Sequence, residues 1–340
     1  MKHSNISVFI PHIGCPFMCS FCAQRTISGT ERAPLPEEVD ELLRDAFEHI
    51  PEERLPETEI AFFGGSFTAI PKDYMNALLG TAERYVKEKG AKGIRISTRP
   101  DCIDGEVLDT LKAYGVTAVE LGAQSMDDSV LKANNRGHTA RQIEESAKML
   151  RSRGFETGLQ MMTGLYTATP ESDLETAERI AALMPDTVRI YPTVIIRGTE
   201  LGSLFEKGIY KPYPFDECVD VCAKACEMFE EKGIRVIRLG LHAEKSLEEG
   251  MMGGFYHPAM GEVVRSRIFR NRLEAVLSGV KCSTVEVKTA GRYYSLVCGQ
   301  KKANRDYFGD RADFVIDGTV PDGKAFIYAD NEKISEIATI

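Results

Sequence analysis

Residues 4–22 read SNISVFIPHIGCPFMCSFC, and the two halves of that stretch frame the rest of the chain. Ser4 to Pro11 is a short run rich in Val, Ile and Phe, closed by a turn-forming His-Ile-Gly, and its length and β-branched content make it a buried strand. Directly after it, Cys15, Cys19 and Cys22 follow the spacing C-x3-C-x2-C, with Gly14 and Pro16 tightening the loop. Three thiolates on one loop can each take an iron of a cubane cluster and leave the fourth iron open, whereas electron-transfer clusters usually carry four cysteine ligands. Structural zinc is the competing reading, but it calls for two ligand pairs around four closed positions, and no second pair is placed to complete it.

Beyond the cysteines, helical and strand patterns alternate. Pro36 opens PEEVDELLRDAFEHI, acidic in its first turn and apolar at helical spacing. TEIAFFGG (58–65) is a second strand, followed by a helix near 73–89, strand 94–98, helix 105–114, strand 118–122, helix 139–153, strand 155–162, helix 171–184, strand 187–192, helix 215–232 and strand 235–239. Strands separated by helices imply right-handed βαβ crossovers and a parallel sheet. Six or seven such units make an α/β fold, a partial TIM-like (β/α)6 barrel. Active sites in such sheets gather at the carboxyl ends of the strands, which is where the cysteines, Gly64-Gly65, Thr98-Arg99, Gln124-Ser125 and Tyr191 fall. Past Leu247 the rhythm stops, so residues 1–246 are expected to form the barrel domain and 247–340 a small α+β extension.

An apolar fraction of 43% with 27% charged residues fits a folded globular protein and excludes a disordered one. The first thirty residues lack the order of a secretory signal, and no stretch offers the roughly 18 apolar residues of a membrane span. Nine cysteines, an odd number, then fit reduced thiols and a metal site in the cytoplasm better than a disulfide framework. The net charge of −9 repels polyanions, so any nucleic-acid contact must come from a local basic patch.

GCPFMCSFCAQ (14–24) resembles the cluster loop of the radical S-adenosylmethionine (SAM) superfamily, in which the open iron binds the amino and carboxylate groups of SAM. FFGGSFT (62–68) resembles the glycine-rich motif that contacts the methionyl amino group; a missing Cβ lets backbone approach a ligand. ISTRPD (96–101), ELGAQSMDD (120–128), NRGHT (135–139), GLQMMTGL (158–165) and RIYPTVIIRGTELGSLFEKGIYKPY (189–213) resemble successive landmarks of the radical SAM domain of the Elongator catalytic subunit and its shorter bacterial relatives. This resemblance, which spans about residues 1–245, implies a radical SAM barrel whose Cys15, Cys19 and Cys22 hold a 4Fe-4S cluster. It also implies reductive cleavage of SAM to methionine and a 5'-deoxyadenosyl radical, with electrons from a donor such as flavodoxin or ferredoxin. Phe21, Gly64, Gly65, Ser66, Arg99, Gln124 and Gln160 are the candidate SAM-binding residues, although a structural hydrogen bond is the alternative for each polar one. Ser97 departs from relatives that carry an acidic residue for the ribose hydroxyls, and its role stays open.

Tyr191 and Arg197 are candidates to position a substrate, against loop packing and a surface ion pair. His138, alone in an Arg-Gly-His turn, reads as structural. Cys218, Cys222 and Cys226 stand at i, i+4 and i+8 of one helix, and a straight helix cannot wrap three sulfurs around a cubane, so core packing is expected. Cys102, Cys282 and Cys298 are read the same way. About ninety residues after the barrel leave no room for the acetyltransferase domain of full-length Elongator catalytic subunits, so the radical half alone is carried over and a related tRNA modification is the leading expectation. GQKKANRDYF (299–308) supplies Lys301, Lys302 and Arg305 beside two aromatics, to meet a phosphate backbone or to form a solvated turn between strands. A radical SAM oxidoreductase on a small molecule such as a porphyrinogen, and a non-catalytic iron-sulfur protein, remain the alternatives.

Overall fold

The computed structural model describes residues 4–11, 13, 15–23, 32–280 and 284–339, so Gly14 and Cys282 fall outside the described residues. Two compact units emerge, Met1–Tyr213 with Met228–Tyr256, and Pro214–Glu227 with His257–Ile340.

In the first unit, β1 (Ser4–Ile10), β2 (Thr58–Gly64), β3 (Gly93–Thr98), β4 (Val116–Gln124), β5 (Glu156–Thr163), β6 (Thr187–Pro192) and β8 (Arg235–Leu239) make one sheet in the order β1-β2-β3-β4-β5-β6-β8. Every pairing is parallel. Each strand lies beside the next of the series, as in a barrel, but β1 and β8 remain as edges, so the barrel is partial. The short β7 (Val194–Ile196) pairs instead with β9 (Met251–Gly254), antiparallel. That ladder ties 251–254 to the first unit, which carries its boundary past the join expected after residue 246.

Helices occupy the crossovers: α1 (Pro36–His49), α2 (Lys72–Lys89), α3 (Gly105–Ala113), α4 (Asp128–Ala133), α5 (Ala140–Ser152), α6 (Pro170–Ala182) and α7 (Glu200–Glu206); α8 (Phe215–Glu231) lies mostly in the second unit, and α9 (Lys245–Gly250) follows β8. The chain signals these starts locally. Pro36 occupies the first turn of α1, and the Leu35 amide donates to Glu38 at 2.7 Å. Asp104 caps α3 by accepting from the Val107 amide at 2.8 Å, and Thr139 and Thr169 cap α5 and α6. Val39, Leu43 and Phe47 are the buried stripe of α1, each worth about 1.5–3 kcal/mol of transfer free energy. The strand residues facing the helices are apolar, among them Ile60, Phe62, Ile94, Ile96, Val119 and Leu121.

The opposite face of the same strands carries charge. Arg95 on β3 is 1% exposed and meets Glu59 of β2 at 2.6 Å, Glu156 of β5 at 2.8 Å and Glu120 of β4 at 3.3 Å. Glu120 in turn takes Arg189 of β6 at 2.6 and 2.9 Å and the Gln160 amide at 2.9 Å. A guanidinium so placed is tolerable only because its donors meet carboxylates on both sides.

The second unit has a four-stranded sheet in the order β11-β10-β12-β13, from β10 (Val285–Thr289), β11 (Ala312–Ile316), β12 (Lys324–Ala329) and β13 (Glu332–Ala338). Only β10 and β11 pair parallel there. Phe269 and Leu273 of α10 (Met260–Ser278), Val297 of α11 (Tyr294–Cys298) and Phe308 of α12 (Ala303–Phe308) build its core against Val287, Phe314 and Ile327. The segment read as a turn between strands is thus largely helical. Cys218, Cys222, Cys226 and Cys298 are buried, whereas Cys102 is only partly so. Among the described residues, no helix is long and apolar enough to cross a membrane.

Replacing Arg95 with Met should cost about 3 kcal/mol, since Glu59 and Glu120 lose a buried partner even though Lys92 and Arg189 remain. Urea unfolding measures this, and a loss below about 1 kcal/mol would show that the remaining cations suffice.

Candidate functional site

The cysteine loop is held in a mould made by the turn after α4. The Ser20 amide donates to the Asn134 carbonyl at 3.1 Å, and its hydroxyl donates to Asn134 Oδ1 at 2.7 Å. Asn134 is itself fixed by donating to the Val130 and Tyr166 carbonyls at 2.8 and 2.9 Å. From the other side the Leu201 amide donates to the Ser20 carbonyl at 2.8 Å. Arg136 donates from Nη1 to Cys19 Sγ at 3.1 Å and from Nη2 to the Gly122 carbonyl. Gly137, at φ +69°, packs its bare backbone on the Phe17 ring, where a Cβ has no room. The Arg99 guanidinium lies 5.1 Å over that ring, held by Asp101 at 2.8 and 2.9 Å and by the Arg136 carbonyl.

Strand ends complete the enclosure. A Cβ on Gly64 would come within 2.6 Å of the Ile10 carbonyl, and one on Gly65 within 2.6 Å of the Ile13 carbonyl and 3.5 Å of Cys15 Sγ, so this pair lets backbone and thiol approach. The β4–β5 register shifts between Gly122 and Gln124, and Gln124 adopts φ +68°, a costly conformation for a residue with a side chain. Irregularities of this kind re-aim a side chain beside a site. Together Cys15, Cys19, Cys22, Phe21, Gly64, Gly65, Ser66, Arg99, Gln124 and Gln160 line one cavity of about 130 Å³, with Arg136 and Ser97 among them.

A larger cavity of about 320 Å³ adjoins it and shares Phe21, Cys22, Gly64, Ser97, Gln124 and Gln160 with the first. Its other walls include Phe9, Phe63, Met162, Arg189, Tyr191 and His242. Arg189 stands 5.1 Å over the Phe63 ring. Burial alone would lower its pKa, but the Tyr191 phenol and the Glu120 carboxylate outweigh that and hold the guanidinium above its ordinary value. Burial raises Tyr191, and burial with two nearby arginines lowers His242, so a phenol and a neutral imidazole face the cavity.

The residues present fit a cluster with SAM. Burial pushes the Cys15 thiol up, against a hydrogen bond from the Ser66 backbone and the charges of Arg99 and Arg136, the cations that would offset thiolates here. Gln124 Oε1, Arg99 Nη1 and Arg136 Nε are buried without a hydrogen-bond partner, one acceptor and two donors of the kind that an amino acid's ammonium and carboxylate satisfy. Among the described residues no three His, Cys, Asp or Glu side chains converge on a single ion position. A cubane asks for less convergence, since each thiolate takes a different iron.

A pattern described as the Radical SAM superfamily matches residues 9–180. The chain belongs to that superfamily. A second pattern, the Radical_SAM C-terminal domain, matches residues 185–270 of this radical SAM chain. Elongator complex protein 3 of Danio rerio is 36% identical over 187 residues, covering 49% of this chain and 34% of that protein. The tRNA uridine(34) acetyltransferase of Methanocaldococcus infernus is 26% identical over 257 residues, 69% of this chain and 46% of that one. The chain therefore spans a third to a half of the length of these relatives. The solved structure of archaeal M. infernus Elp3 with an N-terminal deletion aligns at a TM-score of 0.61 and 20% identity, over 86% of this chain and 67% of that chain, a likeness of fold. Radical SAM enzymes use a 4Fe-4S cluster and SAM, so both are the cofactors here.

Of the other candidates, Tyr191 lines the larger cavity, whereas Arg197 lines neither and makes a 3.9 Å ion pair with Glu206 while 72% exposed. Lys301, Lys302 and Arg305 belong to the second unit. Ser97 accepts from the Gln160 amide at 3.3 Å, beside Glu120. Arg136, Glu120, Arg189 and His242 carry no local signal of their place here; the first stands in NRGHT, but nothing in that segment tells that its side chain turns back to Cys19. His138 is 4% exposed, 3.3 Å from the Ala123 carbonyl, and burial together with Arg136 and Arg99 lowers its pKa to about 4.

Cys19→Ala should abolish the cluster's visible absorbance after anaerobic reconstitution, whereas Cys222→Ala should leave that absorbance and lower only stability. Because the unfolded chain protonates His138 near pH 6.5 and the folded chain only near 4, wild type should lose stability relative to His138→Gln as pH falls through that window, by about 2–3 kcal/mol in urea titrations. A difference independent of pH would mean that the imidazole takes up its proton alike in the folded and the unfolded chain.

Proposed function

We propose that this radical SAM enzyme modifies a base in tRNA, of the wobble-uridine kind, in the cytoplasm, with a flavodoxin or ferredoxin as electron donor. The observation that carries the proposal is the shared wall: the thiol-lined cavity and the aromatic, cationic cavity meet along Phe21, Cys22, Gly64, Ser97, Gln124 and Gln160. When bound, the reduced cluster with SAM supplies a hydrogen-abstracting radical, as throughout the superfamily.

In this reading Cys15, Cys19 and Cys22 hold the cluster. Arg99 and Arg136 offer donors to the SAM carboxylate, Gln124 Oε1 accepts from its ammonium, and Gly64 to Ser66 bring backbone up to it. Gln160, fixed by Glu120 and Ser97, faces both cavities and orients what lies between them. On the substrate side Phe9 and Phe63 offer ring faces to a planar base, while the Arg189 guanidinium and Tyr191 phenol face its carbonyl oxygens. Met162, Val194, Ile196 and Leu241 make the remaining wall apolar, which keeps water from the reacting atoms. At about 320 Å³ the cavity stands at the small end of ligand sites, which run to about 1,000 Å³, and suits one base with its sugar better than a tetrapyrrole. Similarity to proteins named for Elongator and for tRNA uridine(34) supports the same choice.

Reconstituted protein with reductant and SAM should release 5'-deoxyadenosine, and tRNA from cells lacking the chain should lack one modified nucleoside that wild-type cells contain. An unchanged nucleoside profile accompanied by a changed soluble metabolite would overturn the RNA reading in favour of a small-molecule substrate.

A further inference from the structure

The cations of residues 257–340 fall into two groups. Arg267, Arg272, Arg292 and Arg311 each lie within 3.1 Å of a carboxylate, and Lys288, Lys324 and Lys333 within 3.0 Å. Among the described residues of that segment, Arg265, Arg270, Lys301, Lys302 and Arg305 have no such partner. Four of these five collect around one short stretch. Lys301 and Lys302 precede α12, Arg305 lies on it, and Arg270 of α10 stacks 4.6 Å from the ring centre of Tyr307, also on α12. Lys301, Lys302 and Arg305 are exposed, and Tyr307 is 52% exposed while its ring meets buried Phe308 edge-on at 5.1 Å.

The backbone that presents them is strained and locked. Lys301 and Lys302 are consecutive left-handed residues, at φ 52° and 67°, which is unfavourable for any side chain. Holding them there is Asn304, 3% exposed, whose amide donates to the Ser266 carbonyl at 3.0 Å, the Ser266 hydroxyl at 2.9 Å and the Val297 carbonyl at 3.0 Å. Gly299 lies so close that a Cβ would come within 2.8 Å of the Asn304 backbone nitrogen. Strain that surrounding contacts over-determine is a mark of functional turns rather than of passive ones. Residues 257–340 hold 13 Lys and Arg against 11 Asp and Glu, but the second unit taken whole, with residues 214–227, holds 14 against 15, so the positive character belongs to this stretch and not to the unit.

We propose that Arg270, Lys301, Lys302, Arg305 and Tyr307 form an RNA-docking site, the cations meeting successive phosphates of a looped or single-stranded segment and Tyr307 stacking on a base. An acidic polypeptide would be attracted by the same charges, but it has no use for an exposed ring clamped by a guanidinium, whereas every base has a face to stack. At about 100° per residue, Asp306 and Tyr307 project about 100° and 200° around α12 from Arg305, so the bound segment has to wrap this short helix to meet both the lysine side and the ring. The site rests on the proposed function only in taking RNA as the polymer; neither family pattern reaches beyond residue 270.

The test uses the whole chain and unfractionated tRNA, with poly(U) as a single-stranded probe, titrated between about 50 and 200 mM salt. The charge reversal K301E/K302E/R305E should weaken tRNA binding at least about tenfold and reduce the slope of log affinity against log salt by about 2, near 0.7 for each lost phosphate contact. The charge-preserving K301R/K302R/R305K should bind like wild type, and Tyr307→Ala should weaken poly(U) with its salt slope unchanged. The reversal breaks no ion pair and keeps side chains at both left-handed positions, so its thermal melt should match wild type; if it melts early, K301Q/K302Q carries the same comparison. Wild-type RNA binding that the reversal leaves intact overturns the site while sparing the RNA substrate. Absence of tRNA binding by wild type overturns both, and displacement of tRNA by polyglutamate as effective as by poly(U) overturns the site in favour of an acidic protein partner.

Discussion

A guanidinium shut between three carboxylates from three other strands is the constraint on which the first unit depends. Arg95 cannot leave its place without stranding charge in the interior, and Glu120 and Glu59 are bound by the same condition. The chain of contacts runs from β2 through β6, and Arg189 and Gln160, which belong to it, also line the larger cavity. Buried ion pairs add little net stability, but they penalise misregistered pairing severely, because a slip of one residue would turn each charge toward the apolar helices. The floor of the cavity is therefore also what fixes the register of the strands around it.

Above that floor the cysteine loop is a guest of other segments. Its hydrogen bonds go to Asn134, Arg136 and Leu201, residues more than a hundred positions away, and to the Ser66 backbone, and its aromatic contact with a glycine depends on Gly137. This explains why NRGHT stands among the landmarks although it carries no metal ligand. Strands put the glycines and glutamines at the mouth of the sheet, and the turn after α4 brings the loop down onto them.

Much of this could be read from the chain. Short β-branched stretches such as Ile94 to Thr98 declare strands, and cap residues at Asp104, Thr139 and Thr169 mark the helices that follow. The partial barrel came from that rhythm, the expectation of a three-thiolate cluster from the cysteine spacing, and the radical SAM site from the resemblance of the motifs around them. What stayed hidden was hidden for physical reasons. Arg95, Glu59 and Glu120 look like solvated strand residues until partners from neighbouring strands are known. The short α4, α7 and β7 are set by tertiary packing more than by pattern, as is α12, where two left-handed lysines forestall any simple reading of 299–308. Gln124 reads as an ordinary polar residue at a strand end; its bulge and inverted backbone exist only in three dimensions.

The grip on Phe17 has one more outcome. The middle of the C-x3-C segment is pinned between the Gly137 backbone and the Arg99 guanidinium, and Ser20 is bonded on both flanks, all by protein alone. Part of the entropy cost of ordering that segment is thereby met by the fold's own contacts, and the thiolates meet iron from a stretch already restrained on either side.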